Sequence, residues 1–336
     1  MIAVLIPFFL VAKLDQTTWQ YGPEFIFNVE VNATATVLAK AGESYQEKLS
    51  DDGRLSTNLV SKLYCRPKGD DTLNCRLENA KVWSIDSLHP NDKDSSMEDD
   101  SSSNSGEYLI GDEPFEVKFN NHGIEHLLVP RDTFTEKLNM IRSIVKQLNI
   151  GVDLNGKPDG TFHSVENVTL GQCNVTFEVK HRASPMDLAQ RRQRPAATGI
   201  YYELESLPSL NKVAGETIEI LKTTMLNNCT CYASYHFGSY FNADADKTSN
   251  STLRSSISRI SVSDVDIRSE TRQEGTLSHS KNSKLFGINE IISISLLGVK
   301  PAKEELPRVH KPAKTSIIAN SELEPEKVKA PNLGTY

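Results

Sequence analysis

Residues 19–31 read WQYGPEFIFNVEV, and this stretch carries the pattern that decides the fold. Phe25, Phe27, Val29 and Val31 alternate with residues that are mostly polar. A period of two, built from aromatic and β-branched residues, is typical of a strand with one buried face. We therefore predict that the structured part of the chain opens on a half-buried β-strand.

The same alternation recurs along the chain, at Pro114–Phe119, Cys173–Val179 and Glu290–Val299. In Ile257–Ile267 the alternation changes phase after Val262, which predicts a β-bulge. Many short alternating runs, separated by polar and glycine-containing loops, favour a curled antiparallel sheet or a β-barrel.

Residues 133–149 read TFTEKLNMIRSIVKQLN and depart from this alternation. Their apolar residues recur every three or four positions, which predicts an amphipathic helix. Thr133 and Glu136 have the spacing of a capping box at its start. A single helix among strands is expected to plug or cover the barrel, and its few cations disfavour binding along a membrane surface. The apolar stripe consists of Phe134, Leu138, Ile141, Val145 and Leu148.

The first twelve residues, MIAVLIPFFLVA, have the length and composition of the apolar part of a signal peptide. A first β-strand is the alternative interpretation. No second long apolar run follows, so we expect a secreted protein without a transmembrane segment. Five Asn-X-Ser/Thr sequons support export and are expected to carry N-glycans: Asn32, Asn167, Asn174, Asn228 and Asn250.

Composition and motifs argue against enzymes and against nucleic-acid binding. The net charge of −7 is opposite in sign to that of most nucleic-acid binders. The sequence contains no phosphate-binding loop, nucleophile elbow or His-Glu-X-X-His motif. Cys229-Thr-Cys231 has the wrong spacing for a zinc knuckle, and His122 and His126 lack a third ligand. We expect no catalytic, cofactor-binding or metal-binding residues.

Two segments lack the apolar content of a folded core and are expected to be disordered. Residues 91–107 are acidic and serine-rich, and residues 300–336 are rich in Lys, Pro and Glu. The acidic segment is either an unmodified solvated loop or a target of acidophilic kinases. Its candidate phosphorylation sites are Ser95, Ser96, Ser101, Ser102 and Ser103.

Eight short landmarks follow one another along residues 19–299. They are Trp19-Gln-Tyr-Gly-Pro-Glu-Phe25, Pro114-Phe-Glu-Val-Lys-Phe119, Gly123-Ile-Glu125, Ile144-Val-Lys-Gln-Leu-Asn149, Gly171-Gln-Cys-Asn-Val-Thr-Phe177, Lys222-Thr-Thr-Met-Leu-Asn-Asn-Cys229, Tyr235-His-Phe-Gly238 and Arg254-Ser-Ser-Ile-Ser-Arg-Ile260. Taken in order, these landmarks resemble the N-terminal domain of insect vitellogenins, in the large lipid transfer protein superfamily. The acidic serine tract also lies where those proteins carry a phosphorylatable linker.

The resemblance implies a mainly β fold, an antiparallel barrel of the vitellogenin N-sheet type around one central helix. It also implies a disulfide between Cys173 and Cys229. Cys65 and Cys75 flank a turn-rich stretch, so a second bridge closing that hairpin is possible. The chain has five cysteines, which leaves Cys231 over.

The resemblance also bears on function. In the family, a receptor-binding stretch before the second cysteine presents two lysines two residues apart to receptors of the low-density-lipoprotein receptor type. Lys222 matches the first lysine, and Thr224 replaces the second. Lys222 is therefore either a receptor-binding residue or a solvated strand lysine.

The family's helical domain and lipid-facing sheets, which wall its lipid cavity, have no counterpart in these residues. We therefore expect a receptor- or partner-binding module. The alternative is a lipid transporter or nutrient-reservoir yolk protein.

Overall fold

The computed structural model describes residues 2–5, 10–13, 20–40, 54–69, 71–86, 112–120, 123–154, 157–183, 203–206, 213, 215–230, 249–279 and 284–325. The described part is mainly β-structure, with one α-helix, α1 (Thr135–Val145), that continues into a single 3₁₀ turn, Lys146–Leu148. The strands are β1 (Ile2–Leu5), β2 (Leu10–Lys13), β3 (Pro23–Lys40), β4 (Arg54–Lys68), β5 (Thr72–Asp86), β6 (Phe115–Asn120), β7 (Gly123–Pro130), β8 (Gly160–Val168), β9 (Gly171–Ala183), β10 (Glu203–Ser206), β11 (Glu216–Thr230), β12 (Ser249–Val262), β13 (Ile267–His279), β14 (Lys284–Pro301), β15 (Pro312–Thr315) and β16 (Glu324–Pro325).

Thirteen of the strands form one antiparallel sheet, in the order β16-β15-β7-β6-β5-β4-β3-β14-β13-β12-β11-β9-β8. The antiparallel, mainly β prediction is therefore confirmed. In the described residues, the last strand at each end pairs with one neighbour only, β8 with β9 and β16 with β15. The closure of this sheet into a barrel is therefore not confirmed.

The sheet curls around α1. One hydrophobic cluster contains helix residues together with residues of β3 to β7 on one side and of β9 and β11 to β14 on the other. A single cluster can join both halves of such a wide sheet only if its inner face is concave. The predicted alternation explains the inner face, because Phe25, Phe27, Val175 and Phe177 are all buried.

The helix is buried along its length except at its start. Leu138, Ile141, Val145 and Leu148 are at most 3% exposed, as the apolar stripe predicted. Phe134 is 75% exposed, so its assignment to that stripe was wrong. The predicted capping box was also wrong: Phe134 is the N-cap residue, and the Thr133 hydroxyl donates to the Pro130 carbonyl oxygen at 2.7 Å.

The phase change near Val262 is a hairpin turn and not a bulge. Strand β12 ends at Val262, β13 begins at Ile267, and the Ser263 hydroxyl accepts the backbone N–H of Asp266 at 3.0 Å. The bulge in this hairpin lies between Leu253 and Ser255.

The segment 302–325, here called the strap, corrects the prediction of a disordered tail from residue 300. Its β15 pairs with β7 at one side of the open sheet. The backbone N–H of Ala319 then donates to the Thr169 carbonyl oxygen, in the turn between β8 and β9, at 2.7 Å. The strap therefore bridges the opening between the two ends of the sheet, and its own residues Ala313, Ile317 and Ala319 are buried.

Arg142 of α1 anchors the strap. Its fully buried guanidinium donates to the backbone oxygens of Ser316 (3.0 Å) and Ser321 (2.9 Å) and to the Thr315 hydroxyl (2.6 Å). Desolvation lowers the pKa of Arg142 to about 10, and these acceptors satisfy the buried cation without a carboxylate.

Strands β1 and β2 form a separate three-stranded sheet with β10. The structure therefore has strands in the segment predicted as a signal peptide, and cleavage of that peptide stays a prediction. In the part of the chain that the structure describes, no helix has the length and apolar content needed to cross a membrane.

Candidate functional site

Lys222, the residue that the sequence proposed for receptor binding, faces the interior. Its side chain is 4% exposed. The ammonium donates to Glu166 Oε1 at 2.6 Å and to the Asn149 carbonyl oxygen at 3.0 Å. It also lies 5.6 Å from the ring centroid of Phe177. This burial contradicts both readings of Lys222 as a solvent-facing residue, because no partner could reach the ammonium without opening the core.

The orientation of Lys222 follows from strand register. Ile218 and Ile220 point inward on β11, and Lys222 is the next residue in the same phase. It lies opposite Phe177 of β9 and Ser258 of β12. The neighbouring Thr223 is exposed on the outer face. The alternation of the two isoleucines could therefore have located Lys222 in the core.

Glu166 and Asn149 complete the ion pair, and sequence analysis missed both. The Glu166 side chain is fully buried, and its Oε1 also accepts from Asn149 Nδ2 at 2.7 Å. Asn149 Oδ1 accepts the backbone N–H of Ile124 at 3.1 Å, which connects the cluster to β7. At Gly151, with φ of +83°, a Cβ would lie 2.4 Å from the Glu166 carboxyl carbon, so this position requires glycine.

A second lysine lies in the same buried region. Lys146 Nζ is fully enclosed and has no hydrogen-bond acceptor among the described residues. Desolvation lowers its pKa to about 8, although Glu166 and Glu290 oppose this shift. The ammonium is therefore readily neutralised near that pH, which reduces the cost of burying it.

Uncharged polar groups surround these charges at the end of the helix. Gln147 Oε1 accepts from the hydroxyls of Thr271 (2.9 Å) and Ser269 (3.3 Å), both on β13. These residues are here called the buried polar cluster, which consists of Lys146, Gln147, Asn149, Glu166 and Lys222. It fastens the C-terminal end of the helix to β8, β11 and β13. Among the described residues, no group of three or more His, Cys, Asp or Glu side chains could hold a metal ion.

Both predicted disulfides are present. Cys173 and Cys229 join β9 to β11 with an S–S distance of 2.04 Å, and Cys65 and Cys75 close the β4–β5 hairpin at 2.05 Å. Cys173 also lies opposite Glu166 in the β8–β9 register, so this bridge borders the buried polar cluster. Cys231 lies outside the described residues.

The predicted modification sites differ in their environment. The side chains of Asn32, Asn167 and Asn228 are exposed, and that of Asn174 is half-buried. Asn250 lies on β12. Their glycosylation stays a prediction. The five candidate phosphoserines, the whole acidic segment 91–107 and His122 lie outside the described residues.

Comparisons with known proteins identify relatives of this chain. The family model of the vitellogenin N-terminal domain matches residues 43–287. Vitellogenin of Anthonomus grandis is 23% identical over 312 residues, covering 85% of this chain and 16% of that protein. Vitellogenin-1 of Solenopsis invicta is 24% identical over 238 residues, covering 66% of this chain and 12% of that protein.

A solved structure shares the fold. Lipovitellin, whose structure is described as one of lipid–protein interactions, matches with a TM-score of 0.53 at 12% identity. The match covers 93% of this chain and 28% of lipovitellin. The chain thus spans less than a third of each of these proteins. The family model covers well over half of this chain, and the chain therefore belongs to the vitellogenin N-terminal domain family.

Proposed function

We propose that the chain is a secreted, non-enzymatic protein of the lipid-transport and yolk-precursor family, and that this domain binds a protein partner. The observation that carries the proposal is the occupied interior. Helix α1 fills the concave face of the sheet, and Ile144, Val145 and Leu148 are fully buried there. Contacts with other molecules are therefore made by the outer face.

The buried polar cluster also disfavours lipid at the end of the helix. A bound acyl chain requires a concave apolar cavity with a volume of hundreds of Å³. The Lys222–Glu166 pair and the Gln147 amide would lose their partners if an apolar chain entered beside them. A lipid carrier or nutrient-reservoir protein is the second candidate function, and the fold shared with lipovitellin favours it.

The outer face of β12 and β13 offers cations in place of Lys222. Arg259 and Arg272 are exposed there. Arg259 lies opposite Glu270 and Ile257 lies opposite Arg272, so the two arginines are diagonal neighbours on adjacent strands. Receptors of the low-density-lipoprotein receptor type hold basic side chains in acidic pockets organised by calcium. We assign receptor contact to this arginine pair.

Replacing both arginines, Arg259→Ala with Arg272→Ala, should slow association with the recombinant ectodomain of such a receptor about tenfold. It should also weaken the dependence of that rate on ionic strength, because exposed charges act mainly by steering encounters. Surface plasmon resonance at several salt concentrations measures both effects. Arg131→Ala, which removes an exposed cation before the helix, is the matched control. Unchanged association of the double variant would contradict the assignment.

A further inference from the structure

Strand β8 is a long, regular edge strand. It pairs with β9 through nine consecutive residues without a register shift, and it is the last strand of the thirteen-stranded sheet. Among the described residues no further strand pairs with its outer edge, whose backbone N–H and C=O groups could therefore pair with another chain. The strand at the opposite end, β16, has two residues and offers no comparable template.

β8 lacks three of the usual protections of an edge, namely outward charged residues, proline and a bulge, and the strap hydrogen-bonds to Thr169 in the turn that follows it. Its outward residues are Thr161, His163, Val165 and Asn167, none of which is Lys, Arg, Asp or Glu. Its one acidic residue, Glu166, points inward to Lys222. The strand contains no proline, and Val165 is 49% exposed. Proteins normally blunt such an edge with charge, proline or a bulge, because it otherwise promotes edge-to-edge association.

One of the four outward residues, Asn167, is the first residue of a sequon, Asn167-Val168-Thr169. Asn167 is exposed and lies opposite Gln172 of β9, so the sequon asparagine Asn174 is its diagonal neighbour on the same face. We propose that an N-linked glycan on Asn167 protects the β8 edge. The inference rests on the proposed export, since N-glycans are added in the secretory pathway.

The physical basis is steric and entropic. A branched, hydrated oligosaccharide at Asn167 covers the end of β8 that borders the turn to β9. A second strand could pair along that edge only by displacing the glycan. The glycan therefore does on this strand what an exposed lysine does on other edges.

The test uses the 336-residue chain secreted from cultured insect cells, with Asn167→Gln and, as a matched control, Asn32→Gln. Asn32 is also an exposed sequon asparagine, but it lies on β3, which has a partner on both sides. Glycopeptide mass spectrometry should find the oligosaccharide on Asn167. Light scattering after size-exclusion chromatography should show a several-fold larger oligomeric fraction for Asn167→Gln and no change for Asn32→Gln.

A second substitution separates edge protection from a general effect of glycans on folding. Adding Val165→Lys to Asn167→Gln places a charge on the same exposed face and should restore the monomer. A monomeric Asn167→Gln protein would overturn the proposal, as would an unmodified Asn167 in secreted protein whose other sequons carry glycans. Retention in the cell with every sequon unmodified would overturn the proposed export as well.

Discussion

Lys222→Ala should lower the free energy of unfolding by about 3–5 kcal/mol, because it leaves Glu166 buried without its cation. The Lys222 ammonium also satisfies the Asn149 carbonyl oxygen at the end of the helix, so the substitution loosens the helix from β8 and β11. Chemical denaturation followed by circular dichroism measures the change. A surface lysine at this position would contribute less than about 1 kcal/mol.

Two variants control this experiment. Thr223→Ala changes the adjacent exposed residue and should leave stability nearly unchanged. Lys222→Met combined with Glu166→Gln removes both charges at similar volume and should recover most of the loss, because no unpaired ion remains. Wild-type stability of Lys222→Ala would show that the lysine faces solvent and would restore it as a receptor-binding candidate.

Ile141→Asp should prevent folding, with an expected loss of more than about 4 kcal/mol. Ile141 is 2% exposed in the middle of α1, inside the core cluster that joins both halves of the sheet. A carboxylate there would be desolvated among apolar side chains. The expected result is retention of the variant in secreting cells, and loss of the cooperative thermal transition in any protein recovered.

Phe134→Asp is the matched control on the same helix. Phe134 is exposed, has extended backbone angles, and caps the helix without a side-chain hydrogen bond. Aspartate is a favoured N-cap residue, so this substitution should stabilise the helix by about 1 kcal/mol. Normal secretion and melting of Ile141→Asp would place the helix on the surface and contradict the fold described above.

The sequence predicted those elements whose side chains carry a regular pattern. The strands with one buried face show a clear alternation, as at Phe25, Phe27, Val175 and Phe177. A few consecutive residues are enough to predict such a strand. The helix was predicted because its apolar residues recur at helical spacing. Its start was not, because Thr133 uses its hydroxyl on the preceding turn at Pro130 and leaves the N-cap position to Phe134.

The strap could not be predicted from a pattern. Its position depends on hydrogen bonds that Arg142, a residue far away in sequence, donates to its backbone carbonyl and hydroxyl oxygens. A segment rich in Lys, Pro and Glu therefore resembled a solvated tail. Its buried residues Ala313, Thr315, Ile317 and Ala319 do alternate, but two are alanines and one is a threonine, so the alternation carries little apolar signal.

Lys222 was misplaced for a related reason. A lysine on a strand is normally solvated, and that preference outweighed the inward phase of Ile218 and Ile220. Its partner Glu166 lies on a strand with few apolar residues, so no alternation pointed to it. A buried ion pair between two strands that are distant in sequence can be recognised only once the strand register is known, because the register determines which residues meet.

The central claim is that this domain binds partners through its outer face because its interior is filled. The most direct test is the amount of phospholipid per chain in the purified, secreted protein. We predict substoichiometric phospholipid, because α1 and the buried polar cluster occupy the concave side of the sheet. Several tightly held phospholipids per chain would contradict it and would support the lipid-carrier function instead.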